Sequence, residues 1–326
     1  MPADQRRSTT AAQFGALALI WGASFLFIEI ALQGMSPTQV VLGRLTAGAL
    51  TLAVLSAVLR VPLPRGLLPW AHLGVLGMLM CLVPFLLFSW AQEDISSGLA
   101  SIYNATTPLM TVLVAVVALP EERPTRVRTA GFVLGFLGVV LVLGPWHGLG
   151  GGTVLAQLAC LGATACYGLG YVYMRRVVAP LGLAPLTVAT GQVGIAAVAM
   201  AVLAPFVATA PMSLTPTIVA SILTLGALGT GIAYAWNTSV VNAWGATRAS
   251  TVTYLTPIVG VALGALVLHE AFTWNELVGA VVVVAAVALA QGRLTRSPGA
   301  LRRRRARGAG GSSPPPRRTP PAARPS

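Results

Sequence analysis

ASIYNATTPLMTVLVAVVALPEE at residues 100–122 and ASTVTYLTPIVGVALGALVLHEAFT at residues 249–273 are two versions of one pattern. Each opens on Ala-Ser, continues to a Thr-Pro pair, and reaches a glutamate after an apolar run. Ala100 and Ala249, Pro108 and Pro257, and Glu121 and Glu270 are each separated by 149 positions in a chain of 326 residues. Three landmarks that share one offset identify the halves as copies of each other.

The copies are built for lipid. Hydrophobic residues make up 56% of the chain and charged residues 9%, against about 25% charged residues in an ordinary soluble domain. A body of this size with so little charge cannot cover itself with a polar surface in water. The net charge of +13 is local: ten of the 21 basic residues lie between Arg293 and Arg324, where there is no acid. Such a tail reads as a membrane-surface segment on anionic headgroups, not as a nucleic-acid-binding element. All basic residues are arginine, which with the abundant Ala and Gly suggests a GC-rich bacterial genome. Cys81, Cys160 and Cys166 lie in apolar segments without metal-ligand spacing, so neither a disulfide framework nor a metal site is expected.

The apolar stretches are expected to form an all-α integral membrane protein of ten transmembrane helices. They fall at about residues 12–31, 37–59, 67–90, 97–119, 128–144, 153–174, 183–208, 214–236, 245–268 and 274–292, each near the ~20 residues that span about 30 Å of hydrocarbon. The first run is expected to be retained, because Glu29 and the lack of a small-residue cleavage pattern argue against a signal peptide. Ten spans put Arg6, Arg7, Arg60, Arg65, Arg123, Arg126, Arg128, Arg175, Arg176, Arg248 and the tail on one face. The opposite loops, around Gln33, Glu93, His147, Ala210 and Glu270, contain no arginine. The positive-inside rule makes the arginine face cytoplasmic and places both termini there. Five spans per half is an odd number, so the second half enters the membrane from the other side and the repeat is inverted. The expected organisation is a cytoplasmic N-terminus (1–11), a first five-helix repeat (12–144), a second (153–292) and a disordered Arg/Pro-rich cytoplasmic tail (293–326).

The string ALIWGASFLFIEIAL of helix 1, GRLTAGAL of helix 2, the paired patterns of helices 4 and 9, and the Gly-rich helices 5 and 10 resemble the EamA domains of the drug/metabolite transporter superfamily over about residues 12–292. That resemblance implies a bacterial inner-membrane carrier, usually an exporter of amino acids or other small metabolites, with helices around a central cavity and helices 5 and 10 at the periphery. Members of the family often have a basic residue near the end of helix 1, where this chain has Glu29; the matching place in the second half is Arg175.

A carrier needs polar groups near the bilayer centre. Asn104 and its mate Thr253 lie four residues before Pro108 and Pro257, so their carbonyls lose a helical partner and are expected at helix kinks facing a cavity. Re-satisfying the kinked backbone is an equally weighted role for Asn104; Thr107 and Thr256 can back-bond within their helices. Tyr103 and Tyr254 add hydroxyls nearby. Trp21 and Ser24 in helix 1, with Tyr167 and Tyr171 in helix 6, offer aromatic and hydroxyl walls. Tyr234 and Trp236 are expected in an interfacial aromatic belt. Arg44, deep in helix 2, is expected to pair with Glu29 across the helix 1–2 hairpin as a gate or substrate-carboxylate anchor. Gln192 holds the approximate repeat position of Arg44.

Glu121 and Glu270 end helices 4 and 9, where the helix dipole disfavours a carboxylate, so each is expected to have a fixed partner: Arg123 or Arg126 for the first, the N-terminus of the next helix for the second. Gly131 with Gly135, and Gly260 with Gly264, have small-xxx-small spacing that serves packing inside a monomer or a homodimer face equally. No phosphate-binding GxxxxGK[ST] loop is present, no cofactor is implied, and His147 and His269 lack metal-site companions. The leading expectation is a secondary transporter of a small organic metabolite, an amino acid or a cationic or aromatic compound. A non-transporting scaffold and, behind it, a membrane-embedded enzyme are the competing readings.

Overall fold

The structure is a computed structural model that describes residues 3–118, 126–144, 146, 152–244 and 250–290. Glu121, Arg123, His147, Arg248 and the tail lie outside these residues. The described residues are helical, with no strand among them. We label the helices α1 (Ala3–Leu32), α2 (Pro37–Val58), α3 (Leu67–Ala91), α4 (Ser97–Ala118), α5 (Arg126–Leu143), α6 (Gly152–Tyr173), α7 (Pro185–Val207), α8 (Pro216–Trp244), α9 (Thr256–Val267) and α10 (Trp274–Ala290). Seven, α1–α4 and α6–α8, are long and apolar enough to cross a membrane, and the apolar stretches of α5, α9 and α10 are shorter. Their outward positions are apolar: Val117 is 82% exposed, Phe206 79% and Leu266 75%. Water would penalise such a surface, whereas lipid tails match it.

Local chemistry sets several starts. Ser36 and Gln39 form a capping box at α2, the Ser96 hydroxyl accepts from the Leu99 amide at α4, and Thr215 does the same for Ile218 at α8. Pro37, Pro185 and Pro216 stand at the first helical positions, where a missing amide costs nothing.

Two departures from the expected spans matter. The repeated Ala-Ser to Thr-Pro pattern does not bend α4; it breaks it, into Ser97–Asn104 and Thr107–Ala118. In the second half a 3-10 turn, Ser250–Tyr254, precedes α9. The proline sits at the second position of each new helix, so it starts a helix where a kink was expected. The other departure is α8, whose helix continues to Trp244 and not to 236. Two repeat-related insertions lie within the spans, π-helical turns at Met78–Leu82 in α3 and Ala227–Ile232 in α8, and a further π turn, Met174–Val178, continues α6. Residues 78 and 227 are again 149 apart.

Three pairs of helices run antiparallel, α2 with α7, α4 with α9 and α5 with α10. Thr38 at the start of α2 donates to the Val207 carbonyl at the end of α7 (2.9 Å), while Ser56 near the end of α2 meets Thr190 near the start of α7 (2.7 Å). Glu270, just beyond α9, accepts from the amides of Ser97 and Gly98 at the start of α4 (2.8 and 3.0 Å), and Asn104 reaches Thr256 at the start of α9 (3.4 Å). Asn275 at the start of α10 donates to the Leu141 carbonyl near the end of α5 (3.2 Å). The halves also exchange partners: α1 packs on α9 and α6 on α4, with Gly22 against Val259 and Gly168 against the backbone of Met110 and Thr111. Gly135, Gly260 and Gly264 make their close contacts inside the chain, with Leu109, Ser101 and Glu270.

Glu270 is a correction of detail. Its partner is not the next helix but the N-terminus of α4, in the other half. His269, in the left-handed region at φ 56°, ends α9 and turns the chain so that the Glu270 amide bonds the Gly264 carbonyl (3.0 Å). That turn returns the carboxylate to the Ser97 and Gly98 amides, where helix-dipole charge favours an anion.

Candidate functional site

Where the two halves meet, α1, α2, α3, α4, α6, α8 and the turn before α9 surround a cavity. Of the residues singled out from sequence, it brings together Trp21, Ser24, Arg44, Asn104, Thr107, Tyr167, Tyr171 and Thr253. Three repeat-related pairs share its wall at the 149-residue offset: Asn104 with Thr253, Phe85 with Tyr234, and Phe88 with Asn237. Phe85 and Tyr234 touch edge to face, ring centroids 6.4 Å apart.

The π turns of α3 and α8 build this wall. A π turn inserts an extra residue and displaces a carbonyl from its helical partner. The carbonyls of Met80 and Gly229, again 149 positions apart, each accept from an aromatic donor across the cavity: Tyr234 Oη donates to Met80, and Trp21 Nε1 to Gly229 (3.2 Å). Thr230, in the π turn of α8, accepts from Arg44 Nε at 2.9 Å. Gly77 and Gly226, the residues before the two turns, lie against the backbone carbonyls of Gln192 and Arg44. A side chain at either glycine would push α7 or α2 away.

At the break in α4 and the turn before α9, the Thr256 hydroxyl donates to the Thr253 carbonyl (2.9 Å) and accepts from Asn104 Nδ2, while Thr107 Oγ1 donates to Asn104 Oδ1 (3.4 Å). The Thr253 carbonyl is therefore satisfied within its own turn and is not left open to the cavity. Asn104 links the break in α4 to the start of α9 through its side chain.

Other expected site residues lie elsewhere. Tyr103 is buried and donates to Gln157 Oε1 (2.6 Å). Tyr254 packs beside a buried cluster that includes Phe25 and Tyr103, and is not on the cavity wall. Gln192 is buried against Gly77, away from the wall. Glu29 and Arg44 do not pair: Glu29 accepts from Gln92 Nε2 (3.2 Å), whereas Arg44 bonds Thr230 and places its guanidinium 3.5 Å from the centre of the Phe85 ring. The hairpin brings their helices close in sequence, but Arg44 lies on the face of α2 turned to α8, and Glu29 on the face of α1 turned to α3. Tyr234 is not in a belt. It is 4% exposed and on the cavity wall, because α8 continues beyond 236 and leaves it mid-helix.

The sequence reading also passed over Phe25, Ile28, Met80, Phe85, Phe88 and Asn237. The offset itself could have found Asn237, which stands opposite Phe88 at the matched position of α3.

The EamA-like transporter family matches residues 11–144 and again residues 154–291. The chain belongs to the EamA-like transporter family. Its domain is duplicated, and the protein is a multi-pass membrane transporter, which implies a small-molecule substrate and a lipid bilayer. Relatives in this family include the uncharacterized transporter YdfC of Bacillus subtilis (strain 168), 26% identical over 82% of this chain and 86% of that protein. The uncharacterized inner membrane transporter YedA of Escherichia coli (strain K12) is 26% identical over 84% of this chain and 88% of its own length. A protein of Streptantibioticus cattleyicolor named as a probable terminal-alkyne amino-acid exporter is 28% identical over 84% of this chain and 90% of itself. A solved structure with the same fold superimposes with TM-score 0.64 at 20% identity, over 89% of this chain and 99% of that one.

Proposed function

We propose that this EamA-family chain is a secondary carrier that exports a small organic solute, an amino acid or related metabolite, across the bacterial inner membrane by alternating access. The observation that carries this reading is the cavity between the halves, walled by repeat-related pairs and bordered by the break in α4, the 3-10 turn before α9 and two π turns. Matched walls from two inverted copies allow one arrangement to open toward either side when the copies exchange conformations. The antiparallel pairs α2/α7, α4/α9 and α5/α10 support ten spans arranged as two inverted five-helix repeats. The one-sided arginine distribution supports cytoplasmic termini. The name of the Streptantibioticus relative supports outward movement of an amino acid. Asn104, Thr253, Thr107, Trp21, Ser24, Tyr167 and Tyr171 are the proposed substrate-facing residues.

Purified protein in liposomes, offered amino acids, amines and sugars, is expected to move one class of solute; a protein that moves none contradicts the reading. Asn104→Ala removes the tie between the break in α4 and the start of α9, worth about 1 kcal/mol as a neutral hydrogen bond. It is expected to slow flux about tenfold without loss of membrane insertion, measured by initial rates in the same liposomes. Undiminished flux removes Asn104 from the working site.

A further inference from the structure

We propose that the solute carries a carboxylate held by Arg44, and that the cavity rejects the matching amines; this rests on the carrier reading above. Arg44 is 6% exposed, about two turns into α2 and on the cavity wall. Its guanidinium has five N–H donors, and the hydrogen bond found for it among the described residues is the one from Nε to Thr230. Phe85 covers one face of the group, which leaves the two terminal nitrogens as the fork that fits a carboxylate edge-on.

Among the described residues no acid answers this charge. The nearest candidate by sequence, Glu29, is held by Gln92, and Glu270 is held by the Ser97 and Gly98 amides. Among the described residues no Asp or Glu lines the cavity. A buried cation without a counter-ion is costly, and contact with one aromatic face offsets only part of that cost. A solute that brings its own negative charge completes the site. An amine would meet a second positive charge with no carboxylate in reach.

The opposite need is also present. Asn237 is 2% exposed, on the same wall, and its Oδ1 has no hydrogen-bond partner. A buried amide oxygen without a partner fits a ligand donor such as the ammonium of an amino acid. The same wall carries the aromatic side chains of Trp21, Phe88 and Tyr167. The fitting solute has one carboxylate, one N–H donor and an apolar body. One carboxylate suffices, because the approximate repeat position of Arg44 is held by Gln192, uncharged and off the wall.

The test is uptake by the wild-type protein in liposomes of matched probes: L-leucine against L-leucinamide, L-phenylalanine against L-phenylalaninamide, and 3-phenylpropionate against 2-phenylethylamine. At least one carboxylate is expected to move, with its partner at least a hundredfold slower. Arg44→Gln is expected to abolish that preference and to lower carboxylate uptake about a hundredfold. Arg44→Lys, which keeps the charge but not the fork, is expected to retain part of it, and serves if Arg44→Gln does not insert. Equal movement within a pair, or movement of amines, sugars or quaternary ammonium compounds alone, overturns the carboxylate assignment and leaves the carrier standing. Failure of every solute to move overturns the carrier reading itself.

Discussion

Replacing Glu270 with alanine is expected to loosen the joint between the two halves more than any other single side-chain deletion at a helix end. The carboxylate receives the Ser97 and Gly98 amides, the first two of a helix whose N-terminal amides have no partners of their own. Both bonds are charge-assisted, and together with the amides left orphaned their loss should cost about 3 kcal/mol. Glu270→Gln retains one acceptor and should lose about half as much. The unfolding midpoint of the purified protein in detergent measures both. An unchanged midpoint for Glu270→Ala would mean that the clamp contributes nothing. The effect on flux should exceed the effect on stability, because Ser97–Asn104 connects Glu270 at one end to the cavity through Asn104 at the other.

Leucine at Gly77 or Gly226 is the second large perturbation. A Cβ at Gly226 would stand 2.8 Å from the Arg44 carbonyl oxygen, and one at Gly77 would strike the carbonyl of Gln192. The obstacle in both places is backbone, which cannot rotate aside, so each substitution should cost about 3 kcal/mol or more. The two differ in function. Gly226→Leu displaces the turn of α2 that carries Arg44 and should stop flux even in the fraction that remains inserted, whereas Gly77→Leu displaces α7 at Gln192, off the cavity wall. Unfolding midpoints and initial rates, measured on the same preparations, separate these outcomes. Equal residual flux in the two variants would show that the wall around Arg44 has no special part in it.

The offset of 149 residues was legible because it is written in residue types that the fold needs: prolines that start helices, and glycines where backbones meet. It marked α4 and α9, and with them Asn104 and Thr253. An odd number of spans per half was enough to expect corresponding helices to run in opposite directions. What the residues did not announce are the π turns, since no residue type encodes an extra residue in a helical turn; their cause lies in packing against another helix. Each one rotates the following residues around the helix axis, which is why Phe85, Phe88 and Asn237 escaped notice and Tyr234 was read as interfacial. The Glu29–Arg44 pairing failed for a related reason. Closeness along a hairpin fixes the distance between two helices but not the face each residue takes, and Gln92 and Thr230, remote in sequence, hold the two charges instead. The small-residue pairs gave spacing without a partner, and only the fold assigns Gly260 and Gly264 to contacts within one chain.

The most direct measurement is the sidedness of Ser24, which lines the cavity at 4% exposure. With Cys81, Cys160 and Cys166 replaced by alanine, a cysteine at position 24 would be treated with a membrane-impermeant thiol reagent from one side of the membrane and then, separately, from the other. Alternating access predicts that the thiol reacts from both sides, that reaction from either side halts solute flux, and that the transported solute slows the labelling. Reaction from one side alone, with flux continuing after the thiol is fully modified, would contradict a single central site that opens in turn to each face.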